Sequence, residues 1–163
     1  MRGRVTLRLA RPDDAQQLWE WRNEESMRLA SFQSAPVPFA AHQAWLSKVL
    51  TDPSVLLLVG ANDAGQDVGY VRFSIEGQQA DISVCVDHRQ RGLGLGAALI
   101  DAGCVFLWND RPEVEVVAIV KEQNAASRAT FLAVGFRLGE VRDTGGQVVH
   151  DFRRRCDDQI RET

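Results

Sequence analysis

Several features that mark large protein classes are missing from this chain. Cysteine occurs three times, as Cys85, Cys104 and Cys156, with no C-x-x-C pair and no Cys/His spacing of a zinc site. A scattered, odd set argues against a disulfide framework and fits reduced thiols in a reducing compartment. No apolar run approaches the roughly 18 residues of a membrane span. The opening stretch MRGRVTLRLARPDD lacks the apolar segment of a signal peptide, so a cytoplasmic location is expected. An excess of one charge sign is also absent. With 19 basic and 22 acidic side chains the formal net charge is -3, which argues against a nucleic-acid footprint. There is one tyrosine, Tyr70, and no internal repeat, low-complexity tract or linker.

What remains is the profile of a single domain over residues 1–163, 45% hydrophobic and 25% charged, long enough to bury a core. VTLRLA (5–10) alternates apolar and polar residues like a half-buried strand. Pro12, Asp13 and Asp14 start a helix, since acidic groups suit a first turn, and AQQLWEWRNEESMRLA (15–30) continues it. SFQSAPVPF breaks it, and AAHQAWLSKVL (40–50) is a second short helix. SVLLLVGAN, VGYVRFSI and DISVCVD read as strands joined by short polar turns, hence antiparallel. A helix follows a glycine loop, then the buried strand VEVVAIV (114–120), a helix over NAASRATFLAVGF stopped by Gly135, and two strands around TGG. The order β-α-α-β-β-β-α-β-α-β-β predicts one α/β domain, its mixed sheet flanked by helices. The strand near 147–154 is a candidate edge for pairing in a dimer, although nothing in the sequence separates monomer from homodimer.

The most informative stretch is RQRGLGLGAALI (89–100). Bare glycines at 92, 94 and 96 let a ligand approach the backbone. The helix behind them offers unpaired N–H groups and the positive end of its dipole, and Arg89 and Arg91 add charge. A phosphate or pyrophosphate is the simplest ligand. A P-loop is excluded for want of Gly-Lys-Ser/Thr. Gly92, Gly94 and Ala97 do fit G-x-G-x-x-A, which keeps a nicotinamide or flavin dinucleotide as an alternative. Against it, the preceding strand reads as the second arm of a hairpin rather than a strand buried on both faces.

Arg91-Gly92-Leu93-Gly94-Leu95-Gly96 resembles the R/Q-x-x-G-x-G/A signature of the GNAT superfamily of N-acetyltransferases. Glu122, Asn124, Ser127 and Arg128, leading to Phe131 and Gly135-Phe136, resemble that family's second motif. The resemblance covers nearly the whole chain. It implies that the loop, Gln90 through Gly96, holds the pyrophosphate of acetyl-CoA, the acetyl donor. It also implies that the strands before and after the loop's helix splay. The pantetheine would then pair with the edge at Val84, Cys85 and Val86, and Asn124, Ser127, Arg128 and Phe131 would line the same side.

Transfer to a primary amine needs the amine neutral and a route for its proton. Asp81, which opens the loop's strand, is the candidate base, with Glu76, His88 and His150 as rivals. The tyrosine that many family members use as general acid is replaced by Phe131. The N-terminal third, Trp21-Arg22-Asn23, Ser31-Phe32 and His42 with Trp45, is similar to bacterial enzymes that acetylate amino sugars on nucleotides. Related helices occur in enzymes acetylating ribosomal-protein N-termini. Arg22, Asn23, Phe32 and His42 are therefore the candidate acceptor contacts, for a small-molecule amine such as a nucleotide sugar. A protein N-terminus is the alternative, and a non-catalytic acetyl-CoA-binding module is an alternative of another class. No metal, nucleic acid or membrane is expected.

Overall fold

A computed structural model describes residues 3–158. The strands are β1 (Thr6–Leu9), β2 (Val55–Ala61), β3 (Asp67–Glu76), β4 (Gln79–Val86), β5 (Glu115–Lys121), β6 (Arg137–Thr144) and β7 (Gln147–Arg154). The helices are α1 (Ala15–Asn23), α2 (Glu25–Ala30), α3 (Phe39–Val49), α4 (Leu95–Asp110) and α5 (Ala125–Ala133). Short 3-10 turns cover Pro12–Asp14 and His88–Gln90.

The seven strands form one mixed sheet in the order β1-β2-β3-β4-β5-β7-β6. The β4–β5 pair is parallel, joined through α4, and the other pairs are antiparallel. On one face α4 and α5 bury Ile100, Cys104, Leu107, Trp108 and Phe131 against Val71, Phe73, Ile82 and Phe152. On the other face α1 and α3 bury Leu18, Trp21 and Leu46 against Val59, Tyr70 and Cys85. Cys85 and Cys104 are buried in these two clusters, and burial pushes each thiol up to about 12.

Two expectations need correction. The helix expected over 15–30 is broken at Glu24, whose backbone is extended (φ -60, ψ 135). The Glu24 carboxylate accepts a hydrogen bond from the Met27 amide at 3.2 Å, so it ends α1 and caps α2. The second concerns the sheet edge. β7 lies between β5 and β6, so the strand expected to offer a dimer edge is internal and β6 is outermost. The dinucleotide reading also loses its context: β4 is the second arm of an antiparallel hairpin with β3, joined by the turn at Gly77. Among the described residues, no helix is long and apolar enough to cross a membrane.

Candidate active site

The site originates in a gap in the sheet. β4 pairs with β5 at Gln79–Glu115, Ala80–Val116 and Asp81–Val117, and the two strands then diverge. β4 continues against β3 as far as Val86, while β5 continues against β7 as far as Lys121. From Ile82 onward β4 therefore has a free edge. The Asp87 amide donates to the Val68 carbonyl at 2.8 Å, which sets the alternation along the strand. The peptide groups of Val84 and Val86 consequently point into the gap, and those of Cys85 point at β3. Of the three expected edge residues, Cys85 offers no backbone partner there, and its side chain is buried under Trp21 and Tyr70.

At the wide end of the gap sits the glycine loop. Gly92 (φ 80) and Gly94 (φ 75) are left-handed, a region that disfavours side chains. Gly94 is the N-cap of the 16-residue helix α4, and no side chain caps it. The first-turn amides thus face outward without helical acceptors. A groove of about 720 Å³ runs from this loop along Val84–Val86 to Asn124, Ser127 and Thr130 of α5. Gln90, Arg91, Gly92, Gly94, Leu95 and Gly96 line it as expected, whereas Leu93 does not and is exposed. Asn124 caps α5 by accepting from the Ser127 amide at 3.2 Å and also lines the groove.

Arg91 is not a free charge. Its guanidinium is ion-paired to Glu24 at 3.0 Å and donates to the Ser26 hydroxyl. These hydrogen bonds, the largest from Ser26, hold the Glu24 carboxyl down at about 2. Arg89 is likewise paired, to Asp87 at 2.8 Å. Arg128 lines neither this groove nor the next one, against expectation.

A second groove of about 320 Å³ opens on the side of α1 and α2. It meets the first at Val84, Asn124 and Ser127, which line both. Arg22, Arg28 and Phe32 line it, as do Tyr70, Arg72 and Ser83, whose part the sequence reading missed. Phe131 closes the floor, packed edge-on against Phe136 at 5.0 Å between centroids. Tyr70, the lone tyrosine, reaches this groove from β3, and burial raises its phenol, which keeps its proton.

Two expected acceptor contacts hold the fold instead. The Asn23 amide is consumed by Val37: Nδ2 donates to its carbonyl at 2.9 Å, and Oδ1 accepts from its N–H at 2.8 Å. His42 is 1% exposed, lies against Trp45, and lines neither groove. Burial, with Arg22 adding to it, lowers its pKa, so the ring stays neutral. A further holding contact was not foreseen. Lys121, at the end of β5, donates to the carbonyls of Leu29 (3.0 Å) and Ser31 (2.7 Å) and ties the C-terminal end of α2 across the gap.

Asp81 is not brought to either groove. It sits at the last β4–β5 pair, accepts from Gln79 Nε2 at 3.0 Å, and faces a separate depression shared with Glu76. His88 is exposed and His150 lies by Glu122, and neither reaches the grooves. Among the described residues, the second groove is lined by no Asp, Glu or His.

A split parallel pair, a glycine-capped helix at its mouth and two grooves meeting at the split suit a protein that brings two ligands together. The sequence matches the family described as an acetyltransferase (GNAT) domain over residues 4–137, and the chain belongs to that family. No curated protein gives a significant sequence match. Among solved structures, the aminoglycoside acetyltransferase AAC(6')-Ib with kanamycin and coenzyme A is 24% identical, with a TM-score of 0.83 over 97% of this chain and 98% of that one. Spermidine N-acetyltransferase from Vibrio cholerae, with CoA and spermine, is 14% identical, with a TM-score of 0.87 over 96% and 98%. These likenesses establish the fold over the whole domain, and neither protein acts on a nucleotide sugar by its name.

Proposed function

We propose that this acetyltransferase moves an acetyl group from acetyl-CoA to the primary amine of a small molecule, with an amine on a nucleotide-linked sugar as the finer reading. The observation that carries the transfer is the meeting of the two grooves at Val84, Asn124 and Ser127. Acetyl-CoA fits the larger groove by its chemistry. The open amides after Gly94 suit a pyrophosphate, and the outward peptide groups of Val84 and Val86 suit the amides of a pantetheine arm. When bound, the coenzyme supplies a thioester carbonyl activated toward an amine.

The chain's own part is then placement and electrostatics. The Val84 N–H, fixed in a strand and aimed into the gap, is placed to take negative charge developing on the carbonyl oxygen. Among the described residues no carboxylate or imidazole lines the acceptor groove to take the amine's proton, and in this reading water carries it. Arg22, Arg28 and Arg72 assist, because neighbouring positive charge disfavours an ammonium and raises the neutral fraction. Phe131, lacking a hydroxyl, gives the departing thiolate no proton.

Calorimetric titration with acetyl-CoA and NAD, followed by an assay of thiol release with a panel of amines, tests the reading. Binding of acetyl-CoA but not NAD, and thiol release that depends on an amine, are expected. Failure of acetyl-CoA to bind at millimolar concentration overturns it. Tight binding without amine-dependent release for any acceptor favours the non-catalytic module instead.

A further inference from the structure

We propose that Arg22 and Arg72 form an anion subsite, and that the acceptor is an amine bearing a carboxylate or phosphate group rather than a polycation. The proposal rests on the acetyl-transfer reading and narrows its substrate class. The two arginines come from different elements, α1 and the middle of β3, and converge on one indole. Their guanidinium carbons lie 5.3 Å and 5.7 Å from the Trp45 ring centroid. Arg72 donates to the Ser83 hydroxyl at 3.2 Å, while its Nε is buried without a partner.

Most arginines elsewhere in the described residues meet a carboxylate. Arg8 is paired with Asp14, Arg89 with Asp87, Arg142 with Asp151, Arg153 with Glu115 and Arg154 with Asp101. Among the described residues, neither Arg22 nor Arg72 has an ion-pair partner. Two guanidiniums lining one groove repel, and withdrawing Arg72 from water costs more unless a counter-charge arrives. Burial weakens Arg72's hold on its proton most, Tyr70 opposes that, and Arg22 adds to the weakening. A ligand anion relieves both costs at once. The planar guanidinium fork matches a carboxylate or phosphate through paired hydrogen bonds, and stacking on Trp45 fixes its plane.

The position is right for substrate. Ser83, which Arg72 touches, is the chain neighbour of Val84, where the grooves meet. An anion held there leaves an amine a few bonds away at the junction. A polyamine or aminoglycoside in the same groove would place ammonium groups against two arginines. The subsite accepts phosphate and carboxylate chemistry alike, so a nucleotide sugar, a sugar phosphate and an amino acid all remain within the class.

The test uses coenzyme A at saturation, so that the glycine loop is already filled. Inorganic pyrophosphate, malonate and spermine are titrated separately into wild type, Arg72→Gln and Arg22→Gln. At least one of the two anions should bind wild type with a millimolar or tighter dissociation constant and bind each variant at least tenfold more weakly. The tighter anion identifies phosphate or carboxylate as the group read. A matched kinetic arm compares glucosamine 6-phosphate with glucosamine, and glycine with glycinamide. Equal anion binding by wild type and Arg72→Gln, no binding of either anion, or tighter binding of spermine overturns the proposal. Arg72→Lys, which keeps the charge but loses the fork, should fall between, and thermal unfolding confirms that each variant is folded. If coenzyme A itself does not bind, the acetyl-transfer reading fails. The difference in anion binding between coenzyme-free wild type and Arg72→Gln then still reports on the arginine pair.

Discussion

Replacing Lys121 by Met should release the roof of the acceptor groove while leaving the coenzyme side intact. The helix beneath that roof, α2, is six residues long and buries none of them, so it cannot stand on its own propensity. Lys121 fixes its C-terminal end through two charge-assisted hydrogen bonds of 3.0 and 2.7 Å. Bonds to a charged group are each worth about 1.5–3 kcal/mol. The residue is 9% exposed, so part of that gain offsets the desolvation of the ammonium, and we expect a net loss of about 2–4 kcal/mol. If the loss were global, Tm would fall by about 4–16 °C in a domain of this size. Because the segment can lift alone, with Asn23–Val37 still holding its far end, the thermal shift should be at the low end. Amide exchange over residues 27–33 is the sharper assay. A local loss of about 2 kcal/mol speeds exchange there about 30-fold. The acceptor KM should rise with the acetyl-CoA dissociation constant unchanged, and Lys121→Arg should recover part of both. Unaltered exchange over 27–33 in Lys121→Met would refute the tether.

The other predictions concern the loop, the core and the displaced base. Gly94→Ala places a side chain at φ 75 and should cost about 1–2 kcal/mol, seen as a lower Tm. Gly96→Ala has no such strain, its added carbon meeting Val86 Cγ2 at an ordinary 3.6 Å. Stability should hold while acetyl-CoA affinity falls, because the ligand needs the bare backbone. His42 has a lowered pKa in the fold, so the unfolded chain binds the proton first as pH drops. Stability is therefore full above the unfolded value near 6.5 and declines as pH falls toward the folded pKa. In urea titrations at pH 7 and 5.5, His42→Leu should show a smaller loss than wild type. Asp81→Asn should leave the pH–rate profile superimposed on wild type, and loss of its acidic limb would return Asp81 to the reaction.

How much of this was legible depends on the range of each cause. Strands, hairpins and the glycine-opened helix follow from local patterning, and they matched. Gly92 and Gly94 are in the sequence as glycines because the backbone there is left-handed, and that need is local. The break at Glu24 was missed because glutamate is an ordinary helix residue, and its capping bond is geometry that composition does not carry. The place of β7 between β5 and β6 depends on pairing across the sheet, which alternation along one strand leaves open.

Charge was the least legible quantity, and there the sequence reading erred in both directions. Arg91 looked free beside the loop, yet its partner Glu24 lies 67 residues away in the chain. Arg72 drew no notice within its strand, yet the sheet carries it to the second groove, which among the described residues no acid lines. A net charge of -3 averages over both cases. Among the described residues, carboxylates neutralise most of the arginines outside the groove and none lines it, so the arginines there face the groove without a counter-charge. Under the proposed anion subsite, a cationic acceptor is drawn to the surface and repelled at the site, whereas an anionic one gains its attraction only where it reacts.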